Sequence, residues 1–149
     1  MEHWELVARE SIRDLVARYN ANGDSGRFDQ VVELFAPDAV MDVDGTLLRG
    51  RDEIRALFTS TAANLRDHPQ PVLLRHHTST LQIDVQNKHA ATARCYYQVL
   101  LADGLDHWGR YLDEYRVVDG RWRFARRREV LDGAVSGGWA ASLTATPPG

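Results

Sequence analysis

Helical periods in the first third of the chain, then long alternating segments, predict an α+β fold in which three N-terminal helices pack on a strongly curved, mostly antiparallel sheet. Three observations carry this. Apolar residues recur at helical spacing up to Phe58, strand-like runs fill the stretch from Val72 to Leu131, and Asp119-Gly120 is a two-residue hairpin signal between two of those runs.

The first helix spans about Glu5 to Ala21, with Ile12, Leu15, Val16 and Tyr19 on one apolar stripe, so Tyr19 faces inward. Gly23 ends it. Asp24 or Ser25 suits the N-cap of a second helix carrying Phe28, Val31, Val32 and Phe35, which Pro37 closes. Ala39 to Val43 and Thr46 to Arg49 read as a small hairpin around Asp44-Gly45. A third helix has Asp52 and Glu53 in its first turn and Ile54, Leu57 and Phe58 on one face, and it fades near Asn64. A linker, Arg66 to Pro71, leads to strands at Val72–Val85, Ala90–Leu101, Trp108–Val118 and Arg121–Leu131. A sheet folded around the helices leaves a cavity between them for a small ligand. Residues 1–131 thus form one domain. Residues 132–149, rich in Gly, Ala, Ser, Thr and Pro, read as a flexible tail anchored only by Trp139.

Composition narrows the function classes. The 149 residues, 44% apolar and 26% charged, are ordinary for one globular domain. No apolar run approaches the length of about 18 needed to span a bilayer, and Met1 to Glu5 lacks the order of a signal peptide, so a cytoplasmic protein away from membranes is expected. The net charge of −3 gives no reason to bind nucleic acid. The arginines at 121, 123, 126, 127 and 128 divide between two strand faces instead of forming one patch. The single cysteine, Cys95, rules out an intrachain disulfide and reads as a buried small hydrophobe. No metal is expected, because adjacent His76 and His77 face opposite ways in a strand and no helical i, i+4 pair accompanies them. His107 and Asp106 fall in a segment that reads as a solvated loop. The outer sheet face, with Tyr96, Trp108 and Trp122 among arginines, predicts a homo-dimer or homo-trimer.

Four separated residues share a chemistry. Asp24 can orient an imidazole at His76 or His77, while Tyr19 brings a phenol and Arg127 a guanidinium. Together they suit removal of a proton from carbon and stabilisation of a departing anion. Each also has a plainer role: Asp24 as a helix cap, Tyr19 as a core aromatic, Arg127 as a surface strand residue, either histidine as an ordinary strand residue. Simple alternation groups His77 with Leu81, Ile83 and Val85, although a bulge would change that count.

Glu10-Ser11-Ile12-Arg13-Asp14-Leu15-Val16-Ala17-Arg18-Tyr19, Phe28-Asp29 through Leu34-Phe35-Ala36-Pro37-Asp38-Ala39, Gly50-Arg51-Asp52-Glu53-Ile54, and Tyr111-Leu112-Asp113-Glu114-Tyr115 through Arg121-Trp122-Arg123-Phe124 together resemble the SnoaL-like branch of the nuclear transport factor 2-like superfamily. The resemblance spans roughly residues 5 to 131 and implies a cone-shaped α+β fold. Within it the chain is most similar to the group of scytalone dehydratase, bile-acid 7-alpha-dehydratase and hexachlorocyclohexane dehydrochlorinase, which perform eliminations with an Asp-His dyad. That likeness implies Asp24 and His76 as the dyad, His76 standing seven residues before Ile83, with Tyr19 and Arg127 as further catalytic groups. His77, Tyr97, Trp108 and Phe28 are the expected substrate-binding residues. The second pocket histidine of scytalone dehydratase has no counterpart at Tyr96 to Leu101, so the leaving-group side is expected to differ. The resulting expectation is a cofactor-independent, dehydratase-like lyase acting on a small alicyclic or polyketide-like substrate. An isomerase or polyketide cyclase on the same pocket, and a non-catalytic ligand-binding or subunit-type domain, are the alternatives.

Overall fold

A computed structural model of the chain describes residues 1–68 and 72–144. The elements follow in the order α1 (His3–Asp24), α2 (Phe28–Glu33), β1 (Phe35–Val43), β2 (Thr46–Arg49), α3 (Gly50–Arg66), β3 (Arg75–Asn87), β4 (Ala90–Leu101), β5 (Gly104–Val118), β6 (Arg121–Ala134) and α4 (Trp139–Thr144). The strands form one sheet in the order β2-β1-β6-β5-β4-β3. Every pairing is antiparallel except that of β1 with β6.

Strand alternation builds the core. On β4, Ala91, Ala93, Cys95, Tyr97 and Val99 are buried while the residues between them are exposed. Ile12, Leu15, Val16 and Tyr19 of α1 fill the space above this inner face together with Ile54 of α3. Each such large apolar side chain contributes about 1.5–3 kcal/mol by leaving water. No helix among the described residues is long and apolar enough to cross a membrane.

Bulges set which residues turn inward. On β3 the register shifts between Ser79 and Gln82, and Thr80 takes a left-handed φ of 54°. The extra residue reverses the alternation, so His76 lies on the inner side with Leu81, Ile83 and Val85, and His77 is exposed outside. A second shift, between Phe124 and Arg126 on β6, turns Phe124 and Arg127 to the same inner face. A third, opposite Val99 and Leu100 on β4, leaves Asp106 and His107 adjacent and both buried.

Several expectations are corrected. The second helix stops at Glu33, and Phe35 and Pro37 belong to β1: Pro37 disfavours helical backbone at Ala36, and the Phe35 ring packs 5.0 Å from that of Phe124. The strand predicted from Trp108 begins at Gly104, so Asp106 and His107 are strand residues and not a solvated loop. The expected tail contains the end of β6 and α4, and residues 145–149 lie outside the described residues, as do 69–71 of the linker. Trp122 packs against the core from the inner side, which leaves Tyr96 and Trp108 on the outer face.

Candidate active site

The open side of the inner face is a cavity of about 520 Å³. Its walls come from the end of α1, Phe28, one flank of α3 with Leu57, Phe58 and Leu65, the start of β3, the inner residues His107, Glu129 and Leu131, and α4 with Trp139 and Leu143. No lysine or arginine is among its described lining residues, whereas Asp24, Asp44 and Glu129 are.

Asp24 ends α1 directly opposite the first residues of β3. Its Oδ2 accepts the His76 backbone N–H at 2.9 Å, and its Oδ1 lies 2.6 Å from His76 Nδ1. One carboxylate therefore fixes both the backbone and the ring of the histidine. With the Nδ1 proton donated to Asp24, the His76 Nε2 carries the lone pair that a base needs. The Asp24 side chain is 8% exposed and that of His76 22%. The N-cap alternative for Asp24 is not realised, since α2 follows Arg27 without any side-chain cap.

Tyr19 and Arg127 lie beneath the cavity instead of lining it. The Tyr19 hydroxyl meets Met41 Sδ at 4.0 Å with the Arg127 guanidinium beside it, and its ring packs edge-on against Phe35, Phe58, Tyr111 and Phe124. Burial pushes its pKa up, with the Arg127 charge opposing. Arg127 is wholly buried, its Nε and Nη2 each 2.8 Å from Asp113, and its guanidinium stacks over the Tyr19, Tyr111 and Phe124 rings. The plainer surface reading fails equally: this is a core ion pair, placed inward by the β6 bulge.

Of the expected substrate contacts, Phe28 lines the cavity. His77 is exposed on the outer face because of the β3 bulge. Trp108 also faces outward, over Gly133, where an added Cβ would lie 2.3 Å from the indole. Tyr97 is buried and stacks on Tyr111 at 4.7 Å. It supports the site indirectly, its ring lying 6.3 Å from that of His76 and 6.1 Å from that of His107.

Two groups outside the expected site residues stand at the cavity, the first of them the Asp106–His107 pair that the sequence placed in a solvated loop. Asp106 Oδ2 lies 2.7 Å from His107 Nδ1, and the same carboxylate accepts the backbone N–H groups of Trp139 and Ala140. A second imidazole on a carboxylate is thus tied to the first turn of α4. Glu129, two residues beyond Arg127 on the inner face, is the other. The enclosed setting raises its pKa, with His76, Arg127 and His107 opposing the rise. The inward position of Arg127 was the available signal, since alternation then points 129 inward as well.

A pH effect on stability follows from Glu129. Its folded pKa lies above that of an unfolded glutamate, about 4.3, so the native state holds this proton more tightly and loses stability as pH rises through the folded value. Glu129→Gln removes that dependence. Thermal melts are expected to show the variant gaining on the wild type at pH 8 relative to pH 4; an equal difference at both ends would contradict the assigned direction.

Helices laid over the inner face of a bulged sheet, with a pocket between them, define the nuclear transport factor 2-like class of α+β domain. The SnoaL-like domain matches residues 4–128, and the chain belongs to that family. Among solved structures, a Mycobacterium tuberculosis protein of unknown function is 29% identical over 89% of this chain and 76% of its own, with a TM-score of 0.76. A candidate scytalone dehydratase from Novosphingobium aromaticivorans is 21% identical, with 91% of each chain covered and a TM-score of 0.78. A hexachlorocyclohexane dehydrochlorinase, LinA type 2, is 17% identical over 90% of this chain and 93% of its own, with a TM-score of 0.74. No curated protein matches the chain in sequence.

Proposed function

We propose that the protein is a lyase that eliminates water or a comparable leaving group from a small, uncharged cyclic substrate, without a cofactor. The observation that carries this reading is the carboxylate-held imidazole of His76 on the wall of an otherwise largely apolar cavity. His76 Nε2 takes a proton from the carbon next to a carbonyl, the C–H electron pair becomes the new double bond, and the leaving group departs from the neighbouring carbon. Asp24 fixes the ring and offsets the charge that it gains.

The lining narrows the substrate. With Asp24 and Asp44 on the walls and no described lysine or arginine, a carboxylate or phosphate entering the cavity would meet like charge and desolvation with no fixed cation to offset them. A neutral alicyclic or polyketide-like molecule fits that field. A scytalone dehydratase candidate and a dehydrochlorinase of the same fold lend the elimination class weight. Isomerisation or ring closure would use the same first proton transfer, and the product distinguishes them. The test is incubation of the purified protein with 3-hydroxycyclohexanone and larger cyclic β-hydroxy ketones, following the ultraviolet absorbance of the conjugated enone. Release of water and enone supports a lyase, whereas a product isomeric with the substrate replaces it by an isomerase.

A further inference from the structure

We propose that Glu129 is the acid that protonates the leaving group, the partner of His76 across the same cavity; this assignment rests on the elimination reading above. Glu129 and His76 line one cavity from different strands, the glutamate on β6 beside the centre of the sheet and the histidine on edge strand β3. The two strands are separated by β5 and β4, so their side chains meet a bound molecule from separate directions. That arrangement is what an elimination needs, because the proton removed and the group expelled sit on neighbouring carbons.

The other carboxylates on these walls are committed. Asp24 holds His76 through both oxygens. Asp44 Oδ1 accepts the Leu131 backbone N–H. Asp106, behind His107, is occupied by that ring and by the start of α4. The Glu129 carboxyl forms no ion pair with a described residue, and the described hydrogen-bonding group that faces it is the neutral Tyr97 hydroxyl. The groups around it are His76 of β3, Tyr97 of β4, His107 and Tyr111 of β5, Arg127 of its own strand and Asp44 of the β1–β2 turn. Burial raises its pKa, which is the direction a proton donor needs.

In the reaction, His76 Nε2 accepts the α-proton and the carbanionic pair forms the C=C bond. The C–O bond to the β-hydroxyl breaks, its oxygen keeping that pair and taking the Glu129 proton. Enone and water are formed, with imidazolium at His76 and carboxylate at Glu129. Proton return from the first to the second, through solvent once product leaves, restores the starting state.

The leaving group provides the test. Hydroxide departs poorly unless protonated, whereas chloride departs as the anion and needs no acid. Wild type, Glu129→Gln and His76→Ala are compared on 3-hydroxycyclohexanone and 3-chlorocyclohexanone, with rates corrected for the uncatalysed reaction. Glu129→Gln is expected to slow water loss about 100-fold more than chloride loss, and His76→Ala to slow both. If Glu129→Gln slows the two reactions equally or neither, the acid assignment is wrong. If His76→Ala slows neither, the base reading fails, while the glutamate split still judges the acid separately. Infrared difference spectra across pH give a readout that needs no turnover. The protonated-carboxyl band lost in Glu129→Gln is expected to persist to higher pH than that of an ordinary glutamate, whose pKa is near 4.3. A Glu129 that ionises at or below the pH of an ordinary glutamate overturns the proposal, and a cooperative thermal melt of the variant shows that it is folded.

Discussion

Replacement of His76 by alanine is expected to lower the rate of enone formation by about 10²- to 10⁴-fold, the range associated with loss of a positioned general base. The ring is held by Asp24 at 2.6 Å, so its lone pair is delivered in one orientation, and water entering the emptied space has no comparable fixed geometry. Asp24→Asn is expected to be nearly as damaging. The carboxylate accepts two hydrogen bonds, from the His76 backbone and from its ring, and an amide has one oxygen for the two. With the amide nitrogen facing Nδ1, the favoured tautomer carries its proton on Nε2 and cannot act as a base. Initial rates on 3-hydroxycyclohexanone with both variants check this. A His76→Ala protein within about threefold of wild type would sink the assignment.

The second large effect is on stability. Asp113→Ala is expected to cost about 3–5 kcal/mol, because it strands a buried guanidinium without its counter-ion. Asp113 accepts Arg127 Nε and Nη2 at 2.8 Å each and the Tyr115 hydroxyl at 2.7 Å, so three donors lose a partner at once. Arg127 Nη1 already lacks a partner among the described residues, which leaves little slack for rearrangement. The double variant Asp113→Leu, Arg127→Met should recover most of the loss, since apolar side chains of similar volume avoid the desolvation of both charges. Urea unfolding of the three proteins measures this. A single-variant cost below about 1 kcal/mol would mean that water reaches the pair and screens it.

Much of the architecture was legible from periodicity. The α1 stripe and the β4 run from Ala90 to Leu101 needed no more than spacing, as both are long and regular. What spacing could not give was the phase of the bulged strands. The reversal at Thr80 exchanged His77 for His76, and the reversal between Phe124 and Arg126 sent Arg127 inward to Asp113. Neither has a glycine or proline to announce it. α4 escaped notice because six residues are too few for a period and its start is held by Asp106, far away in sequence. That carboxylate likewise looked solvated, since the Asp-Gly before it signals a turn and nothing local reveals a helix arriving to bind it.

The left-handed residue at Thr80 also bears on how relatives are to be aligned. His76 and Ile83 stand an odd number of positions apart yet share a face, which a straight strand forbids. A relative without the bulge would be one residue shorter here and would carry its histidine at an even separation. Matched without a gap, such a sequence would set its histidine against His77 and make the site look displaced or lost. A single gap at Thr80 restores the correspondence, so counts of shared site residues across these proteins depend on where that one insertion is written.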